Sequence, residues 1–295
     1  MIDRYLLRYF LAVIDHGSFS KAAKQANVSQ PTLSIGIAKL ERLLGKTMFH
    51  RTSKRVELTD AGARFAVHAR RIESEFNLAQ AAVLEIQPVA ALRLGVISSL
   101  PMGDVAARLG AVRRQRASTE PPERLQIVTG SERELLQRLR RGQLEVALTL
   151  VRTDSGPFTS EVLFSERYAL ALPADHPLAA RPTIAAEELA ENTMIVRRHC
   201  EALAATSRHF TERGVRPFFA LRSTNDEQVL ALVQAGLGVT VMPMCFRFPG
   251  VVRPLLTGFP LQRRIGLVYA EHAAALRHGD SPLLGAIRAG YAPAR

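Results

Sequence analysis

Residues 29–45 read SQPTLSIGIAKLERLLG, and their spacing decides the first part of the fold. Leu33, Ile37, Leu40 and Leu44 recur at steps of four, three and four, which puts them on one face of a helix. Ser29 or Gln30 opens that helix, with Pro31 in its first turn. At about 100° per residue the opposite face carries Pro31, Ile35, Ala38 and Arg42, with Thr32 and Lys39 beside it. A helix that shows Ile, Thr, Lys and Arg outward has something to touch.

Upstream, RYLLRYFLAVIDHG places Leu6, Leu7, Phe10, Val13 and Ile14 on one apolar stripe that Gly17 stops. Ser18 is expected to cap a short helix over SFSKAAKQANV, and Asn27-Val28 turns directly into the helix of residues 29–45. Two short helices joined this closely, the second polar and basic on its outer face, make a helix-turn-helix whose second member fits a major groove about 12 Å wide. Gln30 can pair with adenine. Ser29, Thr32 and Ser34 can meet base edges or phosphates, the free amides of the first turn can receive a phosphate, and Ile35 can meet a thymine methyl. Gly36 costs about 1 kcal/mol in a helix interior, which suits a close backbone approach.

Downstream, Met48 and Phe49 are expected to close the small core, and Arg51, Lys54 and Arg55 to charge a hairpin whose second strand holds Val56 and Leu58. Such a wing reaches phosphates or a minor groove with little sequence discrimination. Thr59 then caps a long helix. Phe65, Ala69, Ile72, Phe76, Ala79, Val83, Ile86 and Ala90 alternate steps of four and three, the seam of a coiled coil. A lone rod would expose that seam, so self-association is expected, and a dimer presents two reading helices to two half-sites.

The bulk numbers agree. The 295 residues are enough for two or three domains, and an apolar content of 47% argues against disorder. The net charge of +12 favours polyanion partners, and all five lysines (Lys21, Lys24, Lys39, Lys46 and Lys54) fall in the first 54 residues. No apolar stretch suits a membrane span, and Asp3, Arg4 and Arg8 interrupt any leader, so a cytoplasmic location without membrane contact is expected. Cys200 and Cys245 are too few for a disulfide framework or, without histidines, a structural zinc site; no metal or cofactor is expected.

From Phe10 to Gly62 the chain resembles the winged helix-turn-helix of LysR-type transcriptional regulators, through FLAVIDHGSFSKAAKQANVSQPTLSIGIAKLERLLGKTMFHRTSKRVELTDAG. The resemblance continues with lower specificity to the C-terminus. It implies a DNA-binding domain over 1–59, a linker and dimerisation helix over 60–90, and over 91–295 an α/β effector domain of two lobes like a periplasmic binding protein. It also implies dimers or tetramers on double-stranded DNA, a small-molecule effector, and RNA polymerase as a further partner. The groove-reading positions of the family match Ser29, Gln30, Pro31, Thr32 and Ser34, and its wing matches Arg51 and Thr52. Ile35-Gly36 departs from similar members, which often carry polar residues there, frequently Arg then Gln; the departure bears on base preference.

Beyond residue 90, ALRLGVI, RLQIVTG and VALTLV are strands, SERE opens a helix with a capping box of Ser131 and Glu134, and strands and helices alternate to the end. That order predicts a mostly parallel sheet, whose ligands bind at the carboxyl ends of strands. The candidate effector residues are Ser98, Ser99, Gly130, Ser131, Thr149, Arg197, Arg198, His199, Cys200 and Asn225, a set suited to a small carboxylate. The family resemblance places its cleft between the lobes and raises Ser99 above the rest. Peroxide-sensing relatives also place a Cys after a His in the corresponding loop, with a resolving Cys soon after; residues 201–213 contain none here, and thiol sensing through Cys200 stands as the alternative. A solute-binding protein or an enzyme would leave the first ninety residues unexplained, and the chain has no G-x-S-x-G, H-E-x-x-H or P-loop motif.

Overall fold

The computed structural model describes residues 1–51, 56–83, 91–115, 124–152, 158–279 and 281–291. The N-terminal unit contains α1 (Arg4–His16), α2 (Phe19–Gln25), α3 (Gln30–Leu44), β1 (Phe49–Arg51), β2 (Val56–Leu58) and α4 (Asp60–Val83). Asp3 caps α1 by accepting from the Leu6 amide at 3.0 Å, and Ser29 caps α3 by accepting from Thr32 N at 3.2 Å. Ser18 holds the cap position of α2 but makes no side-chain hydrogen bond there, so that helix depends on packing. Between α2 and α3, Asn27 supplies a left-handed residue at φ 54°.

Leu33, Ile37 and Leu40 are fully buried with Phe10, Val13 and Met48, while Leu44 is only partly covered. The wing strands β1 and β2 are antiparallel, with Phe49 opposite Leu58, and Phe49 tilts over Phe10 at 5.3 Å between ring centroids. Thr59 ties the wing to α4: its hydroxyl donates to Thr47 O at 2.8 Å and accepts from Gly62 N at 2.9 Å. The first turns of α4 then serve the same core. Phe65 meets Phe10 edge-on at 5.2 Å, and Ala66 and Ala69 are completely buried. The seam expected from Phe65 onward is therefore free only from Ile72, because Phe65 and Ala69 pack within their own chain. Ile72 and Phe76 are 41% and 44% exposed; the Val83 side chain and Ile86 lie outside the described residues.

The C-terminal part runs β3 (Ala91–Ile97), α5 (Met102–Gln115), β4 (Arg124–Gly130), α6 (Glu132–Arg140), β5 (Val146–Leu150), β6 (Thr159–Pro173), β7 (Thr183–Ile184), β8 (Thr193–Arg197), α7 (Leu203–Glu212), β9 (Phe218–Ser223), α8 (Asp226–Gln234), β10 (Thr240–Pro243), β11 (Val251–Val252), β12 (Leu255–Leu256), β13 (Gln262–Tyr269) and α9 (Pro282–Tyr291). The main sheet has the order β10-β6-β13-β5-β3-β4. It is mixed rather than mostly parallel: β3 lies parallel to β4 and β5, whereas β13 is antiparallel to β5 and β6, and β10 is antiparallel to β6. The reason is the chain path. The fifteen-residue β6 leaves the first lobe for the second, and β13 returns beside it in the opposite direction.

Each lobe closes its own core. Leu94, Val96, Leu135, Leu148, Leu267 and Leu284 fill the first. The second has apolar packing in two clusters, one around Leu170, Met194, Phe210 and Val241, the other around Ile195, Val229, Val233 and Met242. Where β13 passes between lobes, a bulge at Ile265/Gly266 resets its register against β6. A Cβ at Gly266 would stand 1.9 Å from Glu161 O, so only glycine fits that crossing.

Candidate functional site

The capped end of α3 stands clear of the core. Ser29, Gln30, Pro31, Thr32, Ile35, Ala38, Lys39 and Arg42 are exposed, and Ser34 is half-buried. Ile35, at 69% exposure, is a large apolar side chain in water. The Ser29 hydroxyl is 2.7 Å from that of Thr32, so these two are preset at the helix start. Lys39 Nζ lies 4.0 Å from Asp3 Oδ2, a loose surface pair that leaves the ammonium available. Gly36 does not join this face. It is buried, and a Cβ on it would meet Tyr9 Cδ2 at 2.6 Å, so the close approach that glycine serves is to α1. Arg51 pairs by its backbone with Val56 in the wing; Thr52, Lys54 and Arg55 lie outside the described residues.

Between the lobes, the structure gathers a polar cluster around Ser99 that includes residues absent from the sequence expectation. Ser99 follows β3 and is buried; Arg263 of β13 donates to its Oγ at 2.8 Å and to its carbonyl at 2.9 Å. The same guanidinium pairs with Glu166 of β6 at 2.8 Å and with Glu201. Tyr168 donates to Glu201 at 2.6 Å, and Cys245 N donates to Glu166 at 2.6 Å. Burial opposes the Arg263 charge, but Glu166 and Glu201 outweigh it and hold the guanidinium protonated more firmly than usual. Burial likewise opposes the Glu201 carboxylate, and Arg263 and Tyr168 hold it below its ordinary range. One oxygen of Glu201 is buried without a hydrogen-bond partner, as is Thr149 Oγ1 at the end of β5.

Arg197 also differs from expectation. Its guanidinium, 1% exposed, forks onto Asp226 with both contacts at 2.5 Å, so it is neutralised inside the second lobe and does not stand open for an anion. His199 Nε2 joins Asp226 at 3.1 Å, leaving Nδ1 buried and unpartnered. Burial raises the Asp226 pKa, and hydrogen bonds from Arg197 and His199 more than reverse that. Cys200 Sγ lies 3.1 Å from Arg197 Nη1; burial nonetheless pushes its thiol up, as it pushes Cys245 up to about 12. Ser131 and Asn225 act as helix caps, Ser131 in the expected box with Glu134 and Asn225 accepting from Glu227 N and Gln228 N. Gly130 accepts from Ser98 N at 2.9 Å, and Arg198 is exposed.

The parity of the strands carried the missing signal. Arg263 shares its face with Ile265 of β13, and Glu166 and Tyr168 share theirs with Leu170 and Leu172 of β6, so each points inward with apolar neighbours. Tyr168 and Arg263 are accordingly buried.

Two family models match this chain: the bacterial regulatory helix-turn-helix of the lysR family over residues 5–63, and the LysR substrate binding domain over 86–278. The chain belongs to the LysR family of transcriptional regulators. As a LysR-family regulator it binds DNA, self-associates and responds to a small-molecule effector. It is 30% identical to the RuBisCO operon transcriptional regulator of Allochromatium vinosum, over 96% of this chain and 93% of that protein. It is equally 30% identical to the DNA-binding transcriptional dual regulator OxyR of Escherichia coli, over 96% and 94%. A full-length OxyR variant from Pseudomonas aeruginosa shares the fold with a TM-score of 0.66 at 21% identity, covering 99% of this chain and 95% of that one. CbnR, also a LysR-family regulator, superposes with a TM-score of 0.54 at 20% identity, over 98% of each chain. Among the described residues of this LysR-family protein, no helix is long and apolar enough to cross a membrane and no cluster of His, Cys, Asp and Glu suits a metal ion.

Proposed function

We propose that this regulator reads a partly palindromic operator with α3 and the wing, and that a small carboxylate held between its lobes sets the response. The observation that carries the reading is the uncovered outer face of α3, with Gln30, Thr32, Ile35 and Lys39 exposed at and beyond a capped N-terminus. Ser29, Pro31 and Ser34 complete the reading surface, while Arg51, Lys54 and Arg55 supply backbone contacts from the wing. The division into 1–59, 60–90 and 91–295 assigns reading, pairing and sensing to separate stretches. RNA polymerase is the further partner, and operator position decides activation or repression.

A titration against operator and scrambled duplexes tests this. Gln30→Ala or Thr32→Ala should weaken operator binding by about 1–3 kcal/mol and leave scrambled binding nearly unchanged. Arg51→Ala should weaken both and flatten the salt dependence. Equal wild-type affinity for the two duplexes overturns the reading-helix assignment.

For the effector, Ser98, Ser99, Thr149, Arg198, His199 and Cys200 are the proposed contacts. Gly130, Ser131, Arg197 and Asn225 frame them. Support comes from Ser99 resting on a guanidinium and from buried, unpartnered polar atoms at Thr149 and His199 that can donate to a carboxylate. A carboxylate there competes with Glu201 for Arg263. A thermal-shift screen of small carboxylates should find a compound that raises Tm by binding the folded state, and Ser99→Ala should reduce the rise. No shift from any carboxylate removes the assignment.

The thiol alternative draws on several relatives named hydrogen peroxide-inducible genes activators and on the contact of Cys200 with Arg197. Against it stands burial, which raises the thiol pKa when the reactive form is the thiolate. A peroxide-dependent change in DNA binding that Cys200→Ser abolishes would favour the thiol reading over the carboxylate.

A further inference from the structure

The second lobe contains a cavity of 1020 Å³ that no first-lobe residue lines. It lies beside α7 and the β8–β9 pair and meets the polar cluster at Ser99 through Glu201. Apolar side chains of Met194, Phe210 and Val215 line it, so an occupant needs an apolar body. Four arginines line it; Arg197 is forked onto Asp226, which leaves Arg198 after β8, Arg216 before β9 and Arg222 within β9. All three are exposed, and their side chains have no hydrogen bond or ion pair among the described residues. The single acidic residue of the lining, Glu201, is already engaged by Arg263 and Tyr168. Three like charges around one apolar hollow repel each other, and an anion relieves that repulsion.

We propose that this cavity is a second ligand site, for a small organic dianion with an apolar or aromatic body. The charge count argues for two negative groups. A monoanion leaves two of the three guanidiniums unneutralised, whereas a dicarboxylate can pair with two of them and keep its body on the apolar lining. The volume lies just above the usual range for small-molecule sites, roughly 300–1,000 Å³, and leaves room for a fused-ring or branched ligand. The site does not require the interlobe carboxylate proposed above, although Arg198 and Cys200 stand in both linings. Both sites share the loop from Arg197 to Glu201, so occupancy of one bears on the other.

Naphthalene-2,6-dicarboxylate is a direct probe, with the uncharged dimethyl ester as its control, in calorimetric titrations of the full-length protein. The dicarboxylate should bind and the ester should bind more weakly. Loss of two charge-assisted contacts in Arg216→Ser/Arg222→Ser should lower the dicarboxylate affinity by at least about tenfold. A cavity-filling Ala204→Trp should also abolish it, and Ser99→Ala should retain it because Ser99 stands outside the cavity. Circular dichroism and sedimentation of each variant report folding and assembly. No binding to the wild type, equal binding of the ester, or undiminished affinity in the folded double Ser variant each overturns the proposal. A changed sedimentation coefficient in that variant also overturns it, in favour of a second copy of this chain as the occupant. Loss of dicarboxylate binding in Ser99→Ala overturns it in favour of the interlobe cleft.

Discussion

Gly36 shows two effects pulling in opposite directions at one residue. Glycine in a helix interior costs about 1 kcal/mol relative to alanine, so on propensity alone Gly36→Ala should stabilise α3. Yet the added Cβ would lie 2.6 Å from Tyr9 Cδ2 and 3.1 Å from Cε2, which forces the ring away from its seat between α1 and α3. Overpacking of this kind costs about 1–3 kcal/mol, enough to cancel the propensity gain or exceed it. Gly36→Ala should therefore show an unchanged or lower Tm, and Gly36→Val a clear loss by thermal denaturation. A raised Tm for Gly36→Ala would show that Tyr9 yields freely. The sequence displayed the odd glycine but not its neighbour, since a contact between α1 and α3, with α2 between them in the chain, has no local periodic signature. Arg263 and Arg197 illustrate the same limit from the other side: the chain shows their charge, and the fold decides that Glu166, Glu201 and Asp226 neutralise them.

At the scale of elements, α4 divides its stripe between two partners. Its first turns complete the helix-turn-helix core with Phe65, Ala66 and Ala69. Arg4 then clasps the next turns, bonding Glu73 at 2.9 Å and Asn77 at 2.8 Å and lying 4.9 Å over the Phe76 ring. Beside that clasp Ile72 is exposed, and Phe76 stays exposed although Arg4 lies over its ring, an apolar face that fits the self-association of the family. An aspartate placed there would be buried in a dimer and solvated in a monomer. Ile72→Asp should therefore cost the assembly several kcal/mol and yield a smaller species by sedimentation. An unchanged assembly size would remove Ile72 from the seam. Most helices and strands were legible from spacing and caps, including the Ser131–Glu134 box and the Asn225 cap. The strand directions were not. Local alternation in β6 and β13 says which residues face inward, whereas the antiparallel return of β13 depends on a pairing across about a hundred residues. The strand β9 escaped notice for a related reason: it is a short edge partner of β8, with Phe218 and Leu221 exposed rather than alternating cleanly.

In the whole molecule, the turn after α6 is one place where the first lobe touches the DNA-binding unit. Residues 141–145 connect α6 to β5, and Gln143 Nε2 donates to the Ile14 carbonyl of α1 at 3.0 Å. Arg70 of α4 donates to Arg141 O at 3.3 Å, pairs with Asp15, and lies so close to Gly142 that a Cβ there would stand 2.7 Å from its Cδ. The opposite ends of the same two elements bear on the cleft: α6 starts at Ser131, and β5 ends near Thr149. Both are packed into the first-lobe core by Leu135, Leu139, Val146 and Leu148, packing that transmits strain from one end of each to the other. On the proposed effector site, a shift at the cleft would reach the DNA-binding unit through the fit of this turn against α1 and α4, the kind of differential contact that coupling requires. A single neutral hydrogen bond contributes about 0.5–1.5 kcal/mol, comparable with the lower part of the usual coupling range of about 1–3 kcal/mol. Gln143→Ala should accordingly keep the Tm rise produced by a carboxylate found in the screen, while the effect of that carboxylate on operator affinity shrinks severalfold. Measuring both in the same variant separates binding from transmission. If Gln143→Ala combined with Arg70→Ala leaves the effector-dependent change in operator affinity at its wild-type size, the signal takes another route.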